Sequence, residues 1–584
     1  MAGRVNLMCF DKTGTLTEDS LDPLGVRASV NGTFQEEERE IVNCETKLLR
    51  ILASCHSIVK LNEKFIGDPL EIKMFNATDW NYEGDKTYEN PGNHQSKSTT
   101  IVSEPNGEKI EILKRFEFSS ELQRMSALVR LESDVYNVYV KGSPEKIREL
   151  CEEGSIPKDF EQVLSFYTAQ GFRVIACAER RASLHEIENM HNIQRKQFEE
   201  KLVFRGLFIL ENKLKAVTTE TINKLLDAKV RSVMVTGDNV RTALSVAREC
   251  NILSPATHTA ICEYDTKKGA LQCVIVPPFL GKVGGEAAIN SREEPSELLQ
   301  VLRSPSLDLA VTGNAFAFLY EQEKQLFQLV VAKANVFARM KPSQKTLLVE
   351  TLKNEYTVGM CGDGANDAGA LKAADVGVSL SEGEASVAAP FTSKIQDISS
   401  VHVLLKEGRC SLTTSLQIFK FVTLYSMTEF FTSILLLGIG CRLSDWQFVY
   451  IDMFIVLPIE FSMAKTEPIE KLNEKRPPET LMSMPILLSI LGQSLIMVAF
   501  QFVVFTQLLS KDWYSPIDPY TVIGDRITDS VATSTMFLFS NFQYLVVVFG
   551  FSIGKPFRKN MITNRKNYKN SFSSHFRAHF SNLK

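Results

Sequence analysis

Short apolar runs punctuate the first 415 residues, at 5–10, 230–235, 358–361 and 376–378. Each is followed by Gly, Asp or Thr, and most by a stretch with helical periodicity. That rhythm predicts parallel strands with crossover helices. The first and second runs are far apart in sequence, so a large insertion is predicted between them, over about residues 22–204. The insertion has its own alternating segment at 135–140 and a helical pattern at 144–151, and reads as α+β. Residues 76–109, rich in Asn, Gly, Ser and Thr, are expected to form a surface loop, and 254–297 a second irregular stretch.

The pattern changes after residue 418. Four apolar segments follow, at about 419–440, 448–464, 485–509 and 531–552. A bilayer core takes about 20 apolar residues as helix. The connecting charges set an orientation. Lys465, Lys471, Lys475 and Arg476 lie between the second and third segments, whereas 510–530 carries four Asp against one Lys and one Arg. The tail 553–584 carries eight Lys or Arg and no acid. Positive segments stay on the cytosolic side. Both chain ends are then expected in the cytosol, with the basic tail facing anionic lipid.

Composition adds little beyond exclusions. The chain has 584 residues, 44% of them hydrophobic, with a net charge of -4. This excludes a disordered chain. No basic stripe interleaved with aromatics is present, so nucleic acid is not an expected partner. The 11 cysteines are scattered and the 8 histidines form no metal-spaced cluster, which argues for reduced thiols and against zinc.

The candidate chemistry sits where the apolar runs end. Asp11 follows the run 5–10 and opens Asp11-Lys12-Thr13-Gly14-Thr15-Leu16-Thr17. A strand ending there puts its carboxylate at the carboxyl edge of a parallel sheet, where such folds build their sites. The polar turn after it can aim backbone amides at phosphate oxygens. A carboxylate beside polyphosphate needs cations, and a divalent metal bridged by carboxylates is the usual answer. Asp363 lies between Gly362 and Gly364 behind the run 358–361. Asn366 and Asp367 follow about one helical turn later, where both could face the same centre. Thr236, Gly237 and Asp238 follow the run 230–235 and could hold a phosphoryl oxygen. Lys345 could stabilise charge on a transferred group.

At these residues the chain resembles a P-type ATPase, a transporter built on the haloacid-dehalogenase fold. The segment from Asp11 to Thr17 matches that family's signature. The resemblance implies an α/β haloacid-dehalogenase-like (Rossmannoid) phosphorylation domain, with an inserted α+β nucleotide-binding domain, followed by an α-helical transmembrane bundle. The implied division is 1–21 and 205–415 for phosphorylation, 22–204 for nucleotide, 416–553 for the membrane region and 554–584 for a basic cytosolic tail. It implies that ATP phosphorylates Asp11, with magnesium held by Asp11, the Thr13 carbonyl, Asp363 and Asp367. Lys345, Thr236 and Asp238 would serve the transfer. Lys141 and Gly142 match the family's Lys-Gly-x-Pro-Glu motif, Phe118 its adenine-stacking position and Arg173 its phosphate-contacting arginine. Gly237, Arg339, Asn366 and Asp367 complete the implied nucleotide contacts. Read without the family, Phe118 is more often a core residue.

The subgroup resembled is type V, branch B, the polyamine-transporter-like pumps. Phe118 to Met125, residues 379–393 and Lys555-Pro556-Phe557-Arg558 carry that likeness. It implies a transported cation, a polyamine by expectation, and a late endosomal or lysosomal membrane. Glu429, Asp452 and Glu460 fall within the apolar segments, where an ionisable group marks function. Asp452 and Tyr425 match the subgroup's substrate passage, while at Glu429 the subgroup usually has glutamine. Pro458 is expected to free a carbonyl in the turn before it. The chain has no Thr-Gly-Glu of an actuator domain and no apolar helix before Asp11, so it is expected to be a fragment of a pump. Two alternatives stand beside transport. One is a phosphorylated but non-transporting partner of a full-length pump; the other is a helix dislocase of the other type V branch.

Overall fold

The computed structural model describes residues 1–61, 64–88, 97–105, 107–131, 135–183, 186–187, 195–265, 269–277, 291–292, 302, 304, 307–381, 387–478, 480–515, 528–551 and 554–559. Most of the basic tail, residues 560–584, lies outside them.

The strand Leu7–Phe10 is the centre of the first sheet, and all four of its residues are buried. It pairs in parallel with Arg231–Val235 on one side and Val358–Gly362 on the other. Parallel neighbours continue outward through Val336–Ala338, Leu307–Thr312 and His258–Asp265, and through Val376–Ser379 to Phe391–Thr392. Strand side chains alternate between faces. Met8 and Phe10 therefore enter one core, with the helices Thr218–Asp227 and Val240–Glu249. Leu7 and Cys9 enter the other, with Gly313–Gln322, Lys324–Lys333 and Pro342–Leu352. Burial on both faces explains why these strands read as unbroken apolar runs.

The insertion is a nine-stranded antiparallel sheet. It opens with Asp22–Val30 and closes with Val203–Glu211, which pair with each other from Ala28↔Gly206 to Asp22↔Glu211. The closing strand thus crosses residue 204 and runs to Glu211. The stretch 76–109 is not a plain loop. Asn81–Tyr88 and Lys97–Ser103 are the last two strands of this sheet, held by buried Trp80, Ile101 and Val102. Likewise 254–297 contains the hairpin His258–Asp265 and Ala270–Val276 near the edge of the first sheet, with Ser291–Arg292 outside it. Buried polar residues such as Thr100, Ser103 and Thr259 interrupt the apolar pattern of these strands, so composition alone reads them as loop.

Among the described residues, four helices are long and apolar enough to cross a membrane: Ser399–Leu437, Asp445–Ala464, Met484–Leu509 and Val531–Phe551. The first is one continuous helix of 39 residues that begins in the core of the first sheet, through Val401 and Leu405. Near that end it packs against the chain start so closely that a Cβ on Gly3 would lie 2.5 Å from the Gly408 carbonyl oxygen. The second helix widens into a π-turn at Ile451–Val456, just before Pro458. The loop after it reaches the domain of the first sheet through Lys229–Glu474 and Lys471–Asp227. It therefore lies at the same end of these four helices as the first sheet. Arg558 is fully buried and donates to the Thr414 hydroxyl at 3.2 Å and the Met463 carbonyl at 3.3 Å, which fixes 554–559 on the same side.

Candidate active site

The parallel strands deliver their carboxyl ends to one place. Asp11 follows Leu7–Phe10, Asp363 and Asp367 follow Val358–Gly362, and Thr236 to Asp238 follow Arg231–Val235. One carboxylate oxygen from each of Asp11, Asp363 and Asp367 lies within 4.8 Å of the others. The Asp11 Oδ1 accepts from the Lys12 amide at 2.8 Å and lies 3.0 Å from the Lys345 ammonium. Lys345 also donates to Asp367 Oδ1 at 2.7 Å. The Thr15 hydroxyl donates to Asp363 at 2.9 Å. Asp238 accepts from the Thr13 hydroxyl at 3.1 Å and pairs with buried Lys12 at 2.7 Å. The Thr236 hydroxyl accepts from the Asp238 amide at 3.1 Å.

Three carboxylates face one ammonium here, so negative charge is in excess. Burial raises the Asp363 carboxyl above its ordinary range, and Asp11 and Asp19 add to the shift. Burial and Asp11 raise Asp367 too, against the pull of Lys345. For Lys345, burial opposes the charge, but Asp11 and Asp367 outweigh it and hold the ammonium charged. The Asp367 Oδ2 is buried and has no hydrogen-bond partner among the described residues. An orphaned buried carboxylate oxygen in an all-oxygen cluster suits a hard divalent cation such as magnesium.

Other expected residues are placed less uniformly. Asp367 is buried, but its neighbour Asn366 is exposed and takes no part in these bonds. The segment Ala365–Asp367 is a 3-10 turn rather than α-helix, so successive side chains diverge more than a helical turn would allow. Arg339 is exposed, at a positive φ of 54°, and its amide donates to the Asp238 carbonyl at 2.9 Å.

Phe118, Gly142 and Arg173 lie at the same end of the inserted sheet. Ser119 pairs with Arg124, Arg124 with Gly142, and Gly142 with Ala176. Phe118 is 59% exposed, so it is not a core residue. Gly142 has no room for a side chain, since a Cβ would lie 2.5 Å from the Gln123 carbonyl oxygen. Lys141 is buried and pairs with Glu71 at 2.8 Å. Ser57 adds an amide and a hydroxyl to Glu71, each at 2.8 Å. Burial works against the Glu71 charge, yet Lys141 and Ser57 hold it below the usual carboxylate range. Sequence reading missed Glu71, because nothing in its helix marks a partner so distant along the chain.

In the membrane region the Tyr425 hydroxyl donates to Asp452 Oδ1 at 2.5 Å. Glu429 follows Tyr425 by one turn of the same helix. Asp452 sits in the π-turn. The Tyr544 ring packs edge-on against Tyr425, with centroids 5.5 Å apart.

Residues 44–217 match the family model described as P-type ATPase, cytoplasmic domain N. The chain is 38% identical to the human polyamine-transporting ATPase 13A3, over 97% of its own length and 50% of the relative's. It is also 38% identical to the human polyamine-transporting ATPase 13A2, over 97% of this chain and 49% of the relative. Against the vacuolar cation-transporting ATPase YPK9 of Saccharomyces cerevisiae the identity is 36%, over 97% and 42%. The chain spans about half the length of the curated relatives it matches.

Proposed function

Because the chain belongs to the P-type ATPase family, we propose that Asp11 accepts the terminal phosphoryl group of ATP and that the resulting aspartyl-phosphate serves cation transport. The observation that carries this reading is the placement of Asp11. Its Oδ1 is held by the Lys12 amide and Lys345, within 4.8 Å of Asp363 and Asp367. One oxygen is thereby fixed while the other stays available as nucleophile. That oxygen forms a bond to the γ-phosphorus as the bond to the β–γ bridging oxygen breaks, and ADP leaves with the electron pair. Lys345 stabilises charge on the transferred group. Asp11, Asp363 and Asp367, with the Thr13 carbonyl, would hold magnesium, which supplies neutralisation of phosphate charge. Asp238, tied to Thr13 and Lys12, keeps the turn in place beside Thr236 and Gly237.

Phe118 offers an exposed ring for adenine at the sheet end that also bears Gly142 and Arg173. Tyr425, Glu429 and Asp452 offer an anionic and aromatic site among apolar helices, suited to an organic cation. The named human relatives point to a polyamine as that cation. A late endosomal or lysosomal membrane belongs to the same reading.

The test is labelling with ATP carrying radioactive γ-phosphate. The chain should acquire acid-stable, hydroxylamine-labile label, and Asp11→Asn should abolish it. Normal labelling of Asp11→Asn would overturn the reading.

A further inference from the structure

Lys215 joins two parts of the chain that are far apart in sequence. Its ammonium donates to the Gly14 carbonyl and, at 2.5 Å, to the Gln396 carbonyl. Gly14 lies in the turn after Asp11. Its φ is +73°, and a Cβ there would lie 2.0 Å from an Asp363 oxygen and 2.2 Å from an Asp19 oxygen. Only glycine fits, and the peptide is held in one orientation. Gln396 lies in the turn that starts the helix Ser399–Leu437. Asp397 braces that start, accepting from the Ser399 amide at 2.8 Å and the Ser399 hydroxyl at 2.5 Å. The same helix carries Tyr425 and Glu429 into the membrane region.

The backbone around Lys215 is fastened to the acceptor loop as well. The Lys215 amide donates to the Leu16 carbonyl at 3.1 Å, and the Glu18 amide donates to the Lys213 carbonyl at 2.9 Å. The Thr218 hydroxyl donates to the Leu16 carbonyl at 2.8 Å. The chain has thus built a rigid base from which one ammonium reaches both targets. Charge-assisted bonds of this kind are stronger than neutral ones. Both acceptors are neutral carbonyls, so the positive charge is not cancelled and acts on nearby Asp363.

We propose that Lys215 is a positioning residue that ties the phosphoryl-acceptor loop to the root of the membrane helix Ser399–Leu437. The inference rests on the reading of Asp11 as phosphoryl acceptor. Lys215 touches no reacting atom. It acts through Gly14, whose carbonyl it holds, and so through the turn that presents Asp11. At its other bond it fixes the first turn of the helix that leads to Tyr425. Loop geometry and helix start then form one mechanical unit.

The test uses the whole chain in detergent with Lys215→Met and Lys215→Arg. Without nucleotide, Lys215→Met should speed amide hydrogen exchange at least about tenfold in both 12–18 and 396–401. With ATP, its phosphorylation rate should fall about 10- to 100-fold while the apparent KM for ATP stays constant, because no nucleotide contact is lost. Lys215→Arg should restore most of both. Faster exchange in only one segment overturns the proposal. So does a raised KM with an unchanged rate, or a Lys215→Arg chain no better than Lys215→Met. Should Lys215→Met also speed exchange over 124–142, marking general unfolding, Lys215→Arg decides alone: it must protect both segments as the parent chain does, or the tie is refuted. A parent chain that takes no phosphate would sink the Asp11 reading, while the exchange arms still decide the tie.

Discussion

Lys345 Nζ lies 3.0 Å from the carboxylate of Asp11, and it reaches that position while 3% exposed. A second bond to Asp367, at 2.7 Å, aligns the ammonium between the two acids. The helix Pro342–Leu352 supplies it, begun by a proline at its first turn. Lys345→Met removes the charge but keeps most of the side-chain volume. Phosphorylation of Asp11 should then slow by about 10²- to 10³-fold, the cost of losing one preorganised charge-stabilising donor. ATP binding should persist, since Phe118, the proposed adenine contact, lies in the inserted sheet. Rapid-quench time courses of phosphoenzyme, beside equilibrium ATP binding, check both halves.

The pair Lys141–Glu71 invites a different outcome from the one its motif suggests. Both side chains are at least nine-tenths buried, with Lys141 turned to Glu71. Removing one partner of a buried pair leaves an uncompensated charge and costs about 3–5 kcal/mol. Glu71→Gln should therefore loosen the inserted sheet, seen as faster amide exchange over 124–142. The double change Glu71→Leu with Lys141→Met should recover much of the loss. Phe118→Ala should instead leave exchange unchanged and weaken ATP binding by about 1–3 kcal/mol, the worth of one stacked base.

These two sites also mark how far the sequence could be read. Leu7–Phe10, Arg231–Val235 and Val358–Gly362 were legible because strands buried on both faces must be apolar throughout. Asn81–Tyr88 and Lys97–Ser103 were not, because the stretch is rich in Asn, Gly, Ser and Thr and even its buried positions include the polar Thr100 and Ser103. The placement of Asp11 and Asp363 was legible because each stands at the end of such a strand, Asp11 ahead of the Thr13-Gly14 turn and Asp363 between Gly362 and Gly364. Asn366 was expected to join Asp367, but spacing does not tell a 3-10 turn from an α-turn. Glu71 and Lys215 left no trace. Their partners are a distant lysine and two backbone carbonyls, and carbonyls belong to every residue.

Tyr425 and Asp452 make the proposed membrane site testable apart from the chemistry proposed for Asp11. With spermine as probe, Asp452→Asn should weaken binding about 10- to 100-fold, the loss expected for a charge-assisted bond. Tyr425→Phe should weaken it less, since the carboxylate survives. Neither change should alter phosphorylation of Asp11 by ATP. Equilibrium binding of labelled spermine to the detergent-solubilised chain measures the first effect. Unchanged binding by Asp452→Asn would remove Asp452 from the proposed passage.

His56 gives the inserted domain a pH dependence of definite sign. It is 1% exposed. Its Nδ1 accepts from the Ile58 amide at 3.3 Å, which leaves Nε2 to donate to the Ala53 carbonyl at 3.0 Å. The neutral ring therefore satisfies both bonds. Burial lowers its pKa from 6.5 to about 3, and the charges of Lys141 and Arg115 push the same way. Above pH 6.5 the ring is neutral whether the domain is folded or not, so this residue adds no slope. Below pH 6.5 the unfolded chain takes up a proton that the folded domain refuses. Stability then falls as pH falls, by about 1.4 kcal/mol per unit, until the folded pKa is passed. Near pH 5 the loss is about 2 kcal/mol. His56→Gln removes the titration and should flatten that slope, whatever it does to stability at neutral pH. Amide exchange over 46–58, followed from pH 7.5 to pH 5 and corrected for intrinsic rates, measures it. A parent and a His56→Gln chain with equal slopes would show that the proton is taken up elsewhere.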